Sequence, residues 1–241
     1  LIRIRAIISY DGSQFSGFQK QKKLTRTVAS DIEYALLGLG IECNIIGAGR
    51  TDSGVHATGQ VIHFDAPDFW SDIDKLKAEL NRKLRDIAIK KLIAVDDNFH
   101  ARFGAKNREY KYCFSTKKQT VFMKNYISLY DNFETQKLMA ALGAFEGEHD
   151  FKLFCKSGSE VGSTVRNVTS CRYRKYKNIN IITIRANGFL RSQVRMMVDI
   201  SMKYAMGKLE FKDILNQINC KEKISTTLAP AKGLYLTKVI Y

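Results

Sequence analysis

Hydrophobic periodicity along this chain switches repeatedly between 2 and 3.6 residues, and the order of those switches limits the fold more than any other feature. Residues 2–9 alternate apolar and polar and predict a strand. Asp11–Phe18 is punctuated by Gly and Ser and reads as a loop. Thr27 is placed to cap a helix running to Leu39, with Val28, Ile32, Ala35, Leu36 and Leu39 on one face and Gly40 ending it. Asn44–Gly49 predicts a short strand, 50–58 a loop, and Gln60–Asp65 a strand that Pro67 closes. Ile73, Leu76, Leu80 and Leu84 define a helix over 72–84, and a strand follows at 87–95. Tyr110, Tyr112 and Phe114 mark a strand over 107–115. Beyond it the pattern predicts a helix at 134–145, strands at 164–174 and 179–187, helices at 190–206 and 210–218, and a last strand at 234–241.

Strands and helices interleaved in this order predict an α+β fold of two similar α/β halves, 1–103 and 104–241, around one extended, mostly antiparallel sheet. Two prolines in 241 residues leave no Pro-rich linker, so a rigid junction is expected near 100–106. The first residues alternate like a strand and carry no signal-peptide pattern. No apolar run approaches the roughly 20 residues of a membrane span. Five cysteines without a C-x-x-C pair argue against a disulfide framework or a zinc site and favour reduced thiols in a cytoplasm.

Charge is unevenly placed. Residues 1–100 carry 14 basic and 13 acidic side chains, whereas residues 101–241 carry 25 and 11. Such asymmetry points to a polyanionic partner, most simply nucleic acid. A solvated lysine-rich surface explains scattered Lys; it explains Arg166, Arg172, Arg174, Arg185, Arg191 and Arg195 less well, because Arg is favoured where phosphate is gripped. No basic amphipathic helix with aromatic anchors suggests a membrane surface.

The stretch Gly47–Gln60 holds four glycines and one carboxylate, Asp52, two residues after Arg50. A tight loop of this kind can hold Asp52 firmly at the mouth of a cleft. On spacing alone, an Asx-turn in which Asp52 bonds its own backbone is the favoured explanation. The phosphate-loop pattern G-x-x-x-x-G-K-[ST] is absent. His56 and His63 have no third ligand at metal-binding spacing, so no metal is expected.

Gly49-Arg50-Thr51-Asp52-Ser53-Gly54-Val55-His56, followed by Gly59-Gln60, resembles the signature loop of the TruA-type tRNA pseudouridine synthases. Tyr10-Asp11-Gly12 with Gly17-Phe18-Gln19 resembles that family's opening motif. Phe99-His100-Ala101-Arg102-Phe103, Arg108-Glu109-Tyr110-Lys111-Tyr112, Phe189-Leu190 with Val194-Arg195, and Ala229-Pro230-Ala231-Lys232-Gly233-Leu234-Tyr235-Leu236 resemble later motifs in family order. Two segments depart from the pattern: Asn81–Arg85 lacks the family's proline, and Gln193–Asp199 replaces its M-V-R-N-I-V-G.

The resemblance implies the pseudouridine synthase fold with a central basic cleft, and isomerisation of uridine to pseudouridine in the anticodon arm of tRNA, around tRNA positions 38, 39 and 40. It implies no cofactor, a homodimer and a cytoplasmic location. It makes Asp52 the nucleophile, attacking the sugar C1′, adding to uracil C6 or assisting a glycal. Arg195 is implied as the cation paired with Asp52; a phosphate-binding surface Arg is the plainer alternative. Arg50 is implied to grip RNA and help flip the base, against a salt bridge within its loop. Tyr110 is implied to stack on the flipped uracil and help move the C5 proton, although alternation alone makes it a core aromatic. Leu234 is implied beneath the uracil, against the start of a core strand. His100 and Arg102 are implied to line the cleft. Two rival readings share the residues: a non-catalytic RNA-binding protein, and a hydrolase with Asp52 as metal ligand or base.

Overall fold

A computed structural model of the chain describes residues 1–21, 25–156 and 162–241. The architecture is mixed α/β, with ten strands and five α-helices among the described residues. It divides into two compact units, Leu1–Lys106 with Leu236–Tyr241, and Asn107–Tyr235. The last six residues belong to the first unit.

The first unit holds β1 (Ile2–Tyr10), α1 (Val28–Leu37), β2 (Ile46–Gly47), β3 (His56–Ala66), α2 (Ile73–Lys83) and β4 (Ile87–Ala94). β1 pairs antiparallel with β3 on one side and β4 on the other, and β2 adds to β3. Alternation along β1 sends Ile4, Ala6 and Ile8 into the core with no exposure. α1 begins at Thr27, whose side chain accepts from the Ser30 N–H while the Ser30 hydroxyl accepts from the Thr27 N–H. α2 is capped by Asp72, which accepts from the Lys75 N–H, and buries Leu76 and Leu80. Asn81 then locks α2 to β4 by exchanging two hydrogen bonds with the Ile89 backbone, at 2.7 and 3.1 Å.

The second unit holds β5 (Asn107–Ser115), β6 (Ser128–Leu129), α3 (Thr135–Gly143), β7 (Gly147–Asp150), β8 (Val165–Tyr176), β9 (Ile179–Ala186), α4 (Gln193–Ala205) and α5 (Phe211–Ile218). The pairings of β5 with β9, β9 with β8 and β8 with β7 are antiparallel; β6 runs parallel to β5. The last strand, β10 (Leu234–Ile240), starts in this unit and ends in the first. One face of the sheet buries Tyr110, Tyr112, Phe114, Ile182 and Ile184. α4 buries Val194, Met197, Val198 and Ile200, and Phe145, Phe151 and Phe154 pack into a fully buried aromatic cluster. Each such ring stabilises the unit by about 1.5–3 kcal/mol through burial alone.

Several boundaries differ from the sequence reading. The strand expected over 44–49 is only Ile46–Gly47, and β3 starts at His56 rather than after residue 59. α4 starts at Gln193 rather than 190 because Ser192 takes a left-handed backbone, φ 62°, which no α-helix continues through. β6 and β7 have two and four residues, too short for alternation to announce them.

Candidate active site

In the first unit, the Gly-rich loop is built against the segment that follows β1. An added Cβ on Gly12 would fall 2.0 Å from the Val55 carbonyl oxygen, and one on Gly47 would fall 2.5 Å from the Phe18 ring. Those approaches need glycine for space; Gly17, at φ +105°, needs it also for conformation. Hydrogen bonds stitch the two segments along their length. Phe18 N–H donates to the Thr51 carbonyl at 3.1 Å, the Ser53 hydroxyl donates to the Phe15 carbonyl at 3.2 Å, and Gly12 N–H donates to His56 Nδ1 at 3.0 Å. Tyr10 and Thr51 join hydroxyls at 2.8 Å inside the core, and burial pushes the Tyr10 phenol well above its ordinary range.

Asp52 lies between two buried residues, Thr51 and Val55, and is itself half-buried. Its carbonyl accepts from the Val55 N–H at 3.1 Å, closing the turn. The Gln60 side chain, fully buried, donates to the Gly49 carbonyl at 2.8 Å and fixes the other flank. The carboxylate is therefore carried on a backbone anchored on both sides, and Arg50 beside it is exposed.

His100 and Arg102 occupy a turn that packs on the base of this loop. Ala101 is fully buried and forms one cluster with Ala48 and Val61, joined by Phe99 and Tyr241. Ala101 N–H donates to His63 Nδ1 at 3.1 Å, and the Tyr241 hydroxyl donates to the Ala101 carbonyl at 2.8 Å. His100 is half-buried, accepting at Nδ1 from the Arg102 and Phe103 N–H groups, with its ring 4.9 Å from that of His63. Burial, then the neighbouring His100, holds His63 below the ordinary histidine range. The Arg102 side chain is exposed, its guanidinium 5.4 Å from the Phe103 ring centre. His56 is 2% exposed and tied to Gly12 and Asp11, which makes it a structural residue of the loop.

The second unit carries the other three sequence-predicted residues. Tyr110 lies on β5 opposite Ile184, 7% exposed, with its ring perpendicular to Phe189 at 5.3 Å. Arg195, on the first turn of α4, donates from Nε to the Ala229 carbonyl at 2.7 Å and accepts at its own carbonyl from the Ala229 N–H. Leu234 opens β10 and is 4% exposed. Arg50 and Asp52 thus share one loop, with His100 and Arg102 on a turn packed at its base; Tyr110, Arg195 and Leu234 come from three elements of the other unit.

Tyr112, one of the alternating aromatics of β5, organises the segment before β10. Its hydroxyl donates to Ser128 Oγ at 2.8 Å and lies 3.2 Å from the Pro230 carbonyl, with Tyr130 at 3.3 Å. Burial raises its phenol to about 12. An added Cβ on Gly233 would fall 2.5 Å from Ser128 Oγ and 2.7 Å from the Cys113 carbonyl, so this segment lies directly on β5 and β6. The only sequence signal for this role is the second tyrosine of Arg108–Tyr112.

The family model for tRNA pseudouridine synthases matches residues 6–104 and 141–241. The tRNA pseudouridine synthase A of Helicobacter hepaticus is 40% identical over 244 residues, covering 98% of each chain. That of Campylobacter jejuni is 38% identical over 242 residues, covering both chains entirely. That of Leuconostoc citreum is 37% identical over 255 residues, covering all of this chain and 98% of its own. These matches define an enzyme of the isomerase class. The chain belongs to the tRNA pseudouridine synthase family. Among the described residues, no helix is long and apolar enough to cross a membrane, and no cluster of three His, Cys, Asp or Glu could hold a metal ion.

Proposed function

We propose that this chain isomerises uridine to pseudouridine in the anticodon arm of tRNA, at one or more of positions 38, 39 and 40, with Asp52 as the nucleophile. The observation that carries this reading is the half-buried Asp52 carboxylate on a loop anchored from Gly12 to Phe18 on one flank and by Gln60 on the other. A purely RNA-binding surface gains nothing from a fixed anion, which repels phosphate. A covalent catalyst needs one held in place.

The chemistry breaks the bond between uracil N1 and the sugar C1′, turns the base, and forms a bond between C5 and the same C1′. One proton leaves C5 and one arrives at N1, so atoms and electrons balance without a cofactor. The Asp52 carboxylate supplies the electron pair that begins the step, whether at C1′, at C6 or by assisting a glycal. Arg195 is the cation paired with that carboxylate. Removing the base from its stack costs a few kcal/mol, and an aromatic face recovers about 1–3 kcal/mol of it. Tyr110 provides that face and helps move the C5 proton; Leu234 supports the uracil from below. Arg50 grips the RNA and helps extrude the base, and His100 and Arg102 meet its backbone. The nucleophile loop lies in the N-terminal half, and the basic excess of residues 101–241 fits a tRNA partner. The protein acts in the cytoplasm as a homodimer with tRNA lying across both subunits.

The test uses tRNA transcripts tritiated at uridine C5, with Asp52→Ala in parallel. Tritium released by the wild type alone supports the reading. Release by both proteins removes Asp52 as nucleophile, and release by neither with binding intact returns the chain to a non-catalytic RNA-binding role.

A further inference from the structure

We infer that Asp199 and Lys203 are positioning residues that hold Arg195 in its working orientation by clamping the segment Ser225–Ala229 along α4. The inference rests on the proposed role of Arg195, and nothing in the motifs that carry the family resemblance asks for either residue.

Arg195, Asp199 and Lys203 are spaced by four and line one stripe of the helix. The segment 225–229 is fastened to that stripe at every level. Asp199 Oδ2 accepts from the Ser225 hydroxyl at 2.7 Å, from the Thr227 hydroxyl at 2.6 Å and from Lys203 Nζ at 2.9 Å. Lys203 Nζ also donates to Ser225 Oγ at 3.0 Å and to Thr227 Oγ1 at 2.5 Å. Each hydroxyl receives one bond from the ammonium and gives one to the carboxylate, so the group is closed in donors and acceptors. Upstream, the fully buried Gln217 side chain accepts from the Ser225 N–H at 2.7 Å and donates to its carbonyl at 3.2 Å. Downstream, Ala229 exchanges its two backbone bonds with Arg195, one of them to the guanidinium Nε.

The dimensions match. Eight residues of helix from Arg195 to Lys203 rise about 12 Å, and four extended residues reach about 13 Å. The segment can therefore run beside the stripe with its ends at Ala229 and Ser225. The Ala229 carbonyl is where Arg195 Nε is held, and its position is set by the clamp at Thr227 and Ser225, two and four residues upstream. Pro230 follows directly, and its carbonyl is held by Tyr112. A loosened clamp frees the Ala229 carbonyl, and with it the plane of the guanidinium.

The experiment compares wild type, Asp199→Asn, Thr227→Val and Arg195→Lys, and the double variants that join each clamp change to Arg195→Lys, by steady-state tritium release and by tRNA binding. Thr227→Val supplies a second route to the answer should Asp199→Asn unfold. The expected result is a kcat loss of roughly 10-fold or more in each clamp variant, the scale of a sub-ångström to ångström misplacement. KM and the tRNA dissociation constant stay within about twofold, and the clamp change costs less than about twofold more in the Arg195→Lys background. A loss carried by KM, an unchanged kcat in the clamp variants, or the full kcat loss repeated in the Arg195→Lys background would overturn the inference alone. Wild-type kcat in Arg195→Lys would overturn the role of Arg195 and the inference with it.

Discussion

Replacing Gly12 by Ala asks whether the Asp52 loop is held by the segment packed on it. The new Cβ would lie 2.0 Å from the Val55 oxygen, 2.3 Å from the Val55 carbonyl carbon and 2.9 Å from His56 N. All three are backbone atoms, so no side chain can rotate away, and the main chain must retreat by about 1.4 Å, from 2.0 to 3.4 Å, to reach ordinary contact. Overpacking of this kind costs about 1–3 kcal/mol; with the Gly12–His56 bond strained as well, we expect roughly 3 kcal/mol. For a chain of this size that lowers the thermal midpoint by about 6–12 °C. Val55 closes a turn onto Asp52, so the carboxylate moves too, and a shift near 1 Å costs kcat up to about 100-fold. Gly49→Ala is the control within the same loop: its Cβ would meet nothing within 4 Å, and its midpoint and activity should match wild type. Thermal unfolding and tritium release on both variants settle the matter. A Gly12→Ala protein with wild-type midpoint and kcat would show that the Gly12 segment does not hold the Asp52 loop, as would equal damage from Gly49→Ala.

Tyr112→Phe leaves Ser128 Oγ and the Pro230 carbonyl short of a partner; we expect a loss of about 1–2 kcal/mol, read as a lower unfolding midpoint. Because burial raises the Tyr112 phenol to about 12 from an unfolded value near 10, its contribution is fully present below pH 10 and is lost as pH climbs from about 10 to 12. Unfolding followed across that window should show a shallower decline in Tyr112→Phe than in wild type. The Arg3 guanidinium, donating to Asp65 at 2.8 and 2.9 Å, holds that carboxyl below the usual carboxylate range. Its modest contribution is present above about pH 4 and lost as pH falls, and Asp65→Asn should flatten the acid limb of a stability profile. Binding of tRNA should weaken more than tenfold between about 50 and 200 mM salt through counterion release; a flat titration would contradict a phosphate-gripping basic half.

What the sequence made legible depends on the range of the interactions involved. Helix α1 was readable because Thr27 caps it and Ile32, Ala35 and Leu36 keep one face, all within one short stretch. Strand β5 was readable because Tyr110, Tyr112 and Phe114 alternate. β6 needs the register of Phe114 with Ser128 to exist at all, and no local pattern encodes that. The site divides in the same way. Spacing offered Asp52 as the residue of an Asx-turn, while the bond that closes the turn here is from the Val55 N–H to the Asp52 backbone carbonyl; only the motif resemblance raised it to a nucleophile. Alternation offered Tyr110 as a core aromatic, and at 7% exposure it packs as one. Gly12 and Gly17 appeared only as motif letters, whereas their reason lies in the close approach of Val55 and Thr51. Asp199 is 26 residues from Ser225 and was visible merely as a departure from a family pattern.

The proposed function stands or falls on Asp52 as the nucleophile. The most direct measurement is tritium release from C5-labelled tRNA by wild type and Asp52→Ala at equal tRNA occupancy, with the modified position mapped afterwards. The account predicts release by the wild type, none by Asp52→Ala despite undiminished tRNA binding, and pseudouridine confined to the anticodon arm. Release by Asp52→Ala at the wild-type rate would contradict it.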